Sequence, residues 1–208
     1  MSKSNKYGYS GVDIPDQAFR SNSGKFDPAE INELVADNKW TQYGQLELIE
    51  TQTFSGVGTV DFTSIQEDVY NVHFMTGIVT GNGNNRPWLR FFESGVIESG
   101  SVYQGAYQQI TVGGSSENKG TSLTNLDFLV GASEVGESSV AYCYIYNAGD
   151  SSKYTFQTQQ GIMSSTIRAE FGSGVLAQAS VVDGFRIEST GETTLNGTIS
   201  LYGIKEYS

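Results

Sequence analysis

The sequence predicts an all-β protein: an antiparallel, jelly-roll-like β-sandwich over residues 45–208, behind an extended N-terminal arm with one short helix. Three observations lead there. Beyond residue 45, apolar side chains recur with a period of two. Clusters of Gly, Asn and Ser, such as 149–152 and 172–174, punctuate these runs. No helix-length segment separates them, which excludes βαβ units. Composition agrees, because 25 Gly, 12 Tyr and 11 Phe with only 17% charged residues suit many turns and aromatic strands.

Along the arm, Tyr7, Tyr9, Val12, Ile14, Phe19 and Phe26 stand singly among Ser, Asn, Lys and Gly. Such a segment reads either as a disordered terminus or as an arm whose spaced rings dock on another subunit, and the recurring large apolar groups favour docking. Asp27 can cap a helix over 27–37, with Pro28 in its first position and Glu30 closing a capping box. Ile31, Leu34 and Val35 then share one face. At about 10 residues this helix is too short to stand alone and needs a packing partner. The candidate docking residues of this segment, 1–44, are Tyr7, Tyr9, Ile14, Phe19, Phe26, Ile31 and Leu34.

The strands follow. Leu46 and Leu48 alternate with Glu47, Val60 and Phe62 with Asp61, and Val72 and Phe74 with Asn71 and His73. Trp88, Arg90 and Phe92 alternate with Leu89 and Phe91, which predicts a strand buried on both faces. In 140–147, Tyr142, Tyr144 and Tyr146 share one face, and Ala141, Cys143 and Ile145 the other. Later candidates are 154–157, 162–171, 181–187 and 198–205. The weakly patterned stretch 113–126 is expected to be a surface loop, and Gly56–Gly58 and Gly81–Gly83 to be hairpin turns.

Catalytic templates fail for want of residues. His73 is the sole histidine and is expected at the surface or an interface; Cys143 is the sole cysteine and reads as a small buried hydrophobe. Neither a disulfide framework, a zinc site nor a triad can be assembled from these, and no G-x-S-x-G elbow or calcium loop occurs. Glu93, Glu98, Asp127, Glu134 and Glu137 leave a glycosidase-like carboxylate pair open. No cofactor is expected. The net charge of -11, from 23 acidic against 12 basic residues, disfavours nucleic acid. The polar start, Met1 to Lys6, carries no signal-peptide pattern, and no apolar run approaches the ~20 residues that span a bilayer. Synthesis in a reducing cytoplasm is expected. The aromatics Trp88, Tyr142, Tyr144, Tyr146 and Tyr202 are candidates for a subunit interface or for stacking on glycan.

The last strand reads Gly197-Thr198-Ile199-Ser200-Leu201-Tyr202-Gly203-Ile204. It resembles the closing "G-T-x-x-L-Y-G-I" strand of a group of tailed-bacteriophage virion proteins. Phe62–Ile65 and Tyr70–Phe74 resemble that group's opening strands, Val140–Asn147 its central aromatic strand, and Phe185–Ile187 its penultimate one. The resemblance covers residues 45–208 and leaves out the arm. It implies a non-catalytic virion module, assembled in the host cytoplasm, of the kind found in capsid decorations, fibres and tail appendages. The partners it implies are major capsid or tail proteins and further copies of the chain, as in a trimer. A host surface glycan is the alternative partner. The chain has no collagen-like or heptad shaft, which favours a compact decoration (cement) or accessory protein over a long fibre.

Overall fold

A computed structural model describes residues 28–36, 46–81, 86–128, 139–164, 168–189 and 194–205. Contacts divide the chain into two units, 1–44 and 45–208. In the first, helix α1 spans Pro28–Ala36 and half-buries Ile31. Pro28 is its first residue, where a missing N–H costs nothing. Leu34 lies within α1, whereas Tyr7, Tyr9, Ile14, Phe19 and Phe26 lie outside the described residues.

The second unit is all β. Its strands are β1 (Leu46–Val57), β2 (Thr59–Phe62), β3 (Val72–Gly81), β4 (Trp88–Glu93), β5 (Val96–Ile97), β6 (Tyr103–Thr111) and β7 (Gly114–Leu123). They continue as β8 (Leu126–Asp127), β9 (Ser139–Tyr146), β10 (Tyr154–Met163), β11 (Arg168–Ala179), β12 (Gly184–Glu188) and β13 (Leu195–Ile204). One sheet has eight strands in the order β1-β13-β3-β9-β10-β11-β6-β7. The other runs β2-β12-β4-β5, with β8 also on β4, and every pairing among the described residues is antiparallel.

The sheets pack face to face as a sandwich. Met75, Val79, Cys143, Ile145, Leu176, Ile199 and Leu201 line the inner face of the long sheet. Phe62, Leu89, Phe91, Phe185 and Ile187 answer from the short one. Fully burying each such side chain contributes roughly 1.5–3 kcal/mol, so this layer holds the domain together. The β4–β5 hairpin turns on Ser94 and Gly95, both at positive φ, the geometry of a two-residue type I′ turn. Gly203 faces inward under the Tyr70 ring, which an added Cβ would overlap. The closing strand therefore needs glycine there because a ring covers it.

Several expectations are corrected. Residues 113–126 are no loop: β7 pairs along β6 as the edge of the long sheet. Its strand GSSENKGTSL is exposed on both faces, so no alternation marks it. Gly172 and Gly174 lie inside β11, not in a turn; side chains there would collide with Tyr107, whose ring crosses beneath them. Gly56–Gly58 is not a hairpin turn either, because β1 and β2 belong to different sheets and the chain crosses between layers there. On the outer side of β4 Phe92 is buried beneath Arg186 but Trp88 and Arg90 are only half-buried, while Leu89 and Phe91 are fully buried, so that strand is enclosed along its whole length on one side only. Gly81 ends β3, and residues 82–85 lie outside the described residues.

Candidate functional site

The most distinctive surface is the outer face of the long sheet. Strand alternation sends Met75, Cys143 and Leu201 inward, and therefore sends Phe74, Tyr142, Tyr144, Tyr146 and Tyr202 outward. Register brings these five together. Tyr202 pairs with Phe74 and Phe74 with Tyr144. The Phe74 ring centroid lies 4.9 Å from Tyr144, 6.0 Å from Tyr142 and 6.1 Å from Tyr202. Tyr144 stacks on Tyr146 at 6.4 Å, and the Tyr142 hydroxyl donates to Gln160 at 2.8 Å. Around this cluster, Leu48, Ile78, Val140, Phe156, Ile162 and Phe171 stay exposed, Leu48 by 60% and Phe171 by 47%.

No charged side chain points outward from the described residues of β1, β13, β3, β9, β10, β11 or β6. The outward positions are Leu46, Leu48, Thr51 and Thr53 on β1, then Thr198, Ser200, Tyr202 and Ile204 on β13. Val72, Phe74, Thr76 and Ile78 follow on β3, and Val140 to Tyr146 in alternation on β9. Phe156, Thr158, Gln160 and Ile162 face Val175, Ser173, Phe171 and Ala169, which in turn face Gln104, Ala106, Gln108 and Ile110. Charge reappears only on the edge strand β7, where Lys119 and Glu117 pair with each other at 3.1 Å. Apolar rings laid bare over such a span mark a contact surface. Across it, the aromatic side gives way to a shallow trough of about 520 Å³ lined by Gln104, Ala106, Phe156, Ser173 and Val175.

Among the described residues, the groups singled out as candidates for chemistry are bound into the fold. His73 is not at the surface: it is fully buried, its Nε2 donates to the Ile65 carbonyl at 2.7 Å, and its ring meets Phe185 edge-on. The sequence pattern misplaced it because Val72 and Phe74 look as core-like as His73 and Met75. Burial holds its pKa below the ordinary value. Cys143 is fully buried, which pushes its thiol up to about 12 and leaves it inert. Glu93 and Glu98 do come together, hydrogen-bonded to each other and both reached by Gln178. Burial raises Glu93, while the Gly100 N–H lowers Glu98. Carboxylates in direct contact leave no room for the sugar and water that a glycosidase pair must flank. Asp127 accepts from Asn118 and shares Arg86 with the buried Glu170, which Gln109 and Gln159 also bind. Burial raises the Glu170 pKa. Glu134 and Glu137 lie outside the described residues. No helix is long and apolar enough to cross a membrane, and no metal-ligand cluster occurs, among the described residues.

No family model matches the chain. No curated protein and no solved structure matches it significantly either. Its function is therefore argued from its own residues.

Of the aromatics singled out in the sequence, Tyr142, Tyr144, Tyr146 and Tyr202 share the outer face. Trp88 does not; it lies on the other sheet beneath the Arg90 guanidinium, 5.7 Å from its ring centroid. Sequence reading set Phe74 on the core side and overlooked Phe156 and Phe171 as outward residues, together with the whole of β6. A signal was present: no position in 104–110 or 156–162 is charged, and a strand facing water would place Lys or Glu at its outward positions.

Proposed function

We propose that this protein is a structural component of a tailed-phage virion: a capsid decoration (cement) or accessory protein, non-catalytic, attached through residues 1–44. The observation that carries the reading is the uncharged, aromatic outer face of the long sheet. A soluble acidic protein exposes such a face to be covered by protein. The closing strand, Gly197–Ile204, supplies the likeness to virion modules, and its inner glycine is explained by the Tyr70 ring. Structural use of His73, Cys143, Asp127 and Glu170 supports a module without chemistry. Its partners are major capsid or tail proteins and copies of itself.

The test is location and copy number. Quantitative densitometry of purified particles should find hundreds of copies for a decoration and tens for a tail appendage; absence from particles refutes the reading. Deleting residues 1–40 should abolish capsid binding while circular dichroism still reports the sandwich. Capsid binding that survives this deletion rules out docking by the arm.

A second reading, a fibre or tail-appendage module that binds host surface glycan, is favoured by one feature. The Tyr142 hydroxyl and Gln160 set polar groups beside the stacked rings of Tyr144 and Tyr146, a pattern that suits sugars. Glycan-array binding lost on Tyr144→Ala would support it over the decoration.

A further inference from the structure

We infer that the uncharged face is covered by a second copy of this chain, through a twofold contact whose central row seats the rings of each copy on the small residues of the other. The inference rests on the reading of this face as a contact surface.

Register carries the argument. One row across the sheet reads Leu48, Tyr202, Phe74, Tyr144, Thr158, Ser173, Ala106. Within this row side-chain size is large on one side of the sheet's centre and small on the other. A twofold axis in the contact plane, parallel to the strands and between β9 and β10, lays β9 over β10, β3 over β11 and β13 over β6. Tyr144 then meets Thr158, Phe74 meets Ser173, and Tyr202 meets Ala106. The neighbouring rows are mixed: beside the axis Tyr142 falls on Gln160, Val140 on Ile162 and Tyr146 on Phe156, while farther out large residues meet small ones. Thr76 falls on Phe171, Ile78 on Ala169, and Thr198 on Ile110. Large residues oppose small ones across the three pairs of the Tyr144 row and at Thr76–Phe171, Ile78–Ala169 and Thr198–Ile110, the interdigitation that an isologous sheet-on-sheet core uses.

Charge and area point the same way. Each copy carries a net charge of -11, so contact through an acidic surface brings like charges together. On this face the described residues of seven strands point no charge outward, and the Lys119–Glu117 pair of β7 falls at the rim, opposite Leu48 and Thr51 of β1. With strands about 4.8 Å apart and about 3.3 Å per residue, the patch measures about 30 Å by 25 Å, or about 750 Å² per copy. A standard stable interface buries about 800 Å² per partner.

The test is the mass of the full chain in solution by sedimentation. Wild type at about 50 μM, above the micromolar Kd of weak standard-size interfaces, should weigh twice 22.5 kDa. Thr158→Glu sits beside the axis, faces outward in the monomer, and should raise the dimer Kd by about a hundredfold or more with an unchanged circular dichroism spectrum. Ser173→Phe sets ring against ring and should also dissociate the dimer. Adding Phe74→Ser to Ser173→Phe in one chain reverses both contacts and should restore it. A wild-type monomer, a three-chain mass, a Thr158→Glu dimer, or failure of the double variant to rescue would each overturn the inference. A dimer that is absent from virions would refute the proposed function alone, and a virion-bound monomer the dimer alone.

Discussion

The two outer faces of the sandwich cover the same core and are built in opposite ways. On the short sheet, Asp61, Arg186 and Arg90 form a cross-strand row. Arg186 donates to both carboxylate oxygens of Asp61 at 2.6 Å, and Arg90 pairs with Glu188 at 2.6 Å. Their guanidinium groups lie over Phe92 and Trp88, at 5.1 and 5.7 Å. Aromatic surface is thus roofed by charged heads, which suits a face meant for water. On the long sheet, Phe74, Tyr142, Tyr144 and Tyr202 pack on one another, on Tyr146 and beside Gln160, and no outward charge roofs them among the described residues of seven strands. The contrast suits one face to water and supports the proposed protein contact on the other.

Four substitutions break or sharpen this contrast. The largest effect comes from what both faces share. Phe185→Ala opens a cavity between the sheets and should cost about 3–5 kcal/mol in denaturant unfolding. Next is His73, also in the shared interior. Burial holds its pKa below the ordinary 6.5, so below that pH the unfolded chain takes up a proton that the folded one refuses. The stability present above pH 6.5 should fall as pH drops, by at most about 1.4 kcal/mol per pH unit, until the folded-state pKa is reached. Thermal melts of His73→Gln between pH 7 and 5 should lack this contribution; a wild-type slope in the variant would refute the assignment.

Smaller effects separate the faces themselves. Arg186→Ala removes a half-exposed, two-pronged pair and should cost about 1 kcal/mol or less, shrinking further in high salt. Phe156→Lys, outward on the long sheet and 45% exposed, should change stability by no more than about 0.5 kcal/mol. It should nevertheless raise solubility and weaken self-association in light scattering. If Phe156→Lys destabilised the fold as much as Phe185→Ala, the long sheet's outer face would belong to the monomer's own core.

Much of the architecture was legible in advance. Period-two runs located strands at 46–48, 60–62, 72–74, 88–92 and 140–147, and the capping pattern at 27–30 located the helix. Edge strand β7 was illegible because exposure on both faces removes the alternation that marks a strand. Gly172 and Gly174 resembled a turn because the ring that needs their empty space, Tyr107, is 65 and more positions away. The phase of β3 was ambiguous since both of its faces are largely apolar, and a one-residue change of phase exchanges inside for outside. Hence His73 looked exposed and Phe74 looked like core.

The sequence alone therefore determined the fold class, the acidic charge and the shortage of catalytic groups, because local periodicity and composition are properties of short stretches. Only the tertiary structure decided which tyrosines lie side by side. The row from Leu48 to Ala106 draws on seven strands scattered from residue 48 to residue 202, and antiparallel register is set by long-range pairing. The uncharged face and its tapered central row exist only in that register.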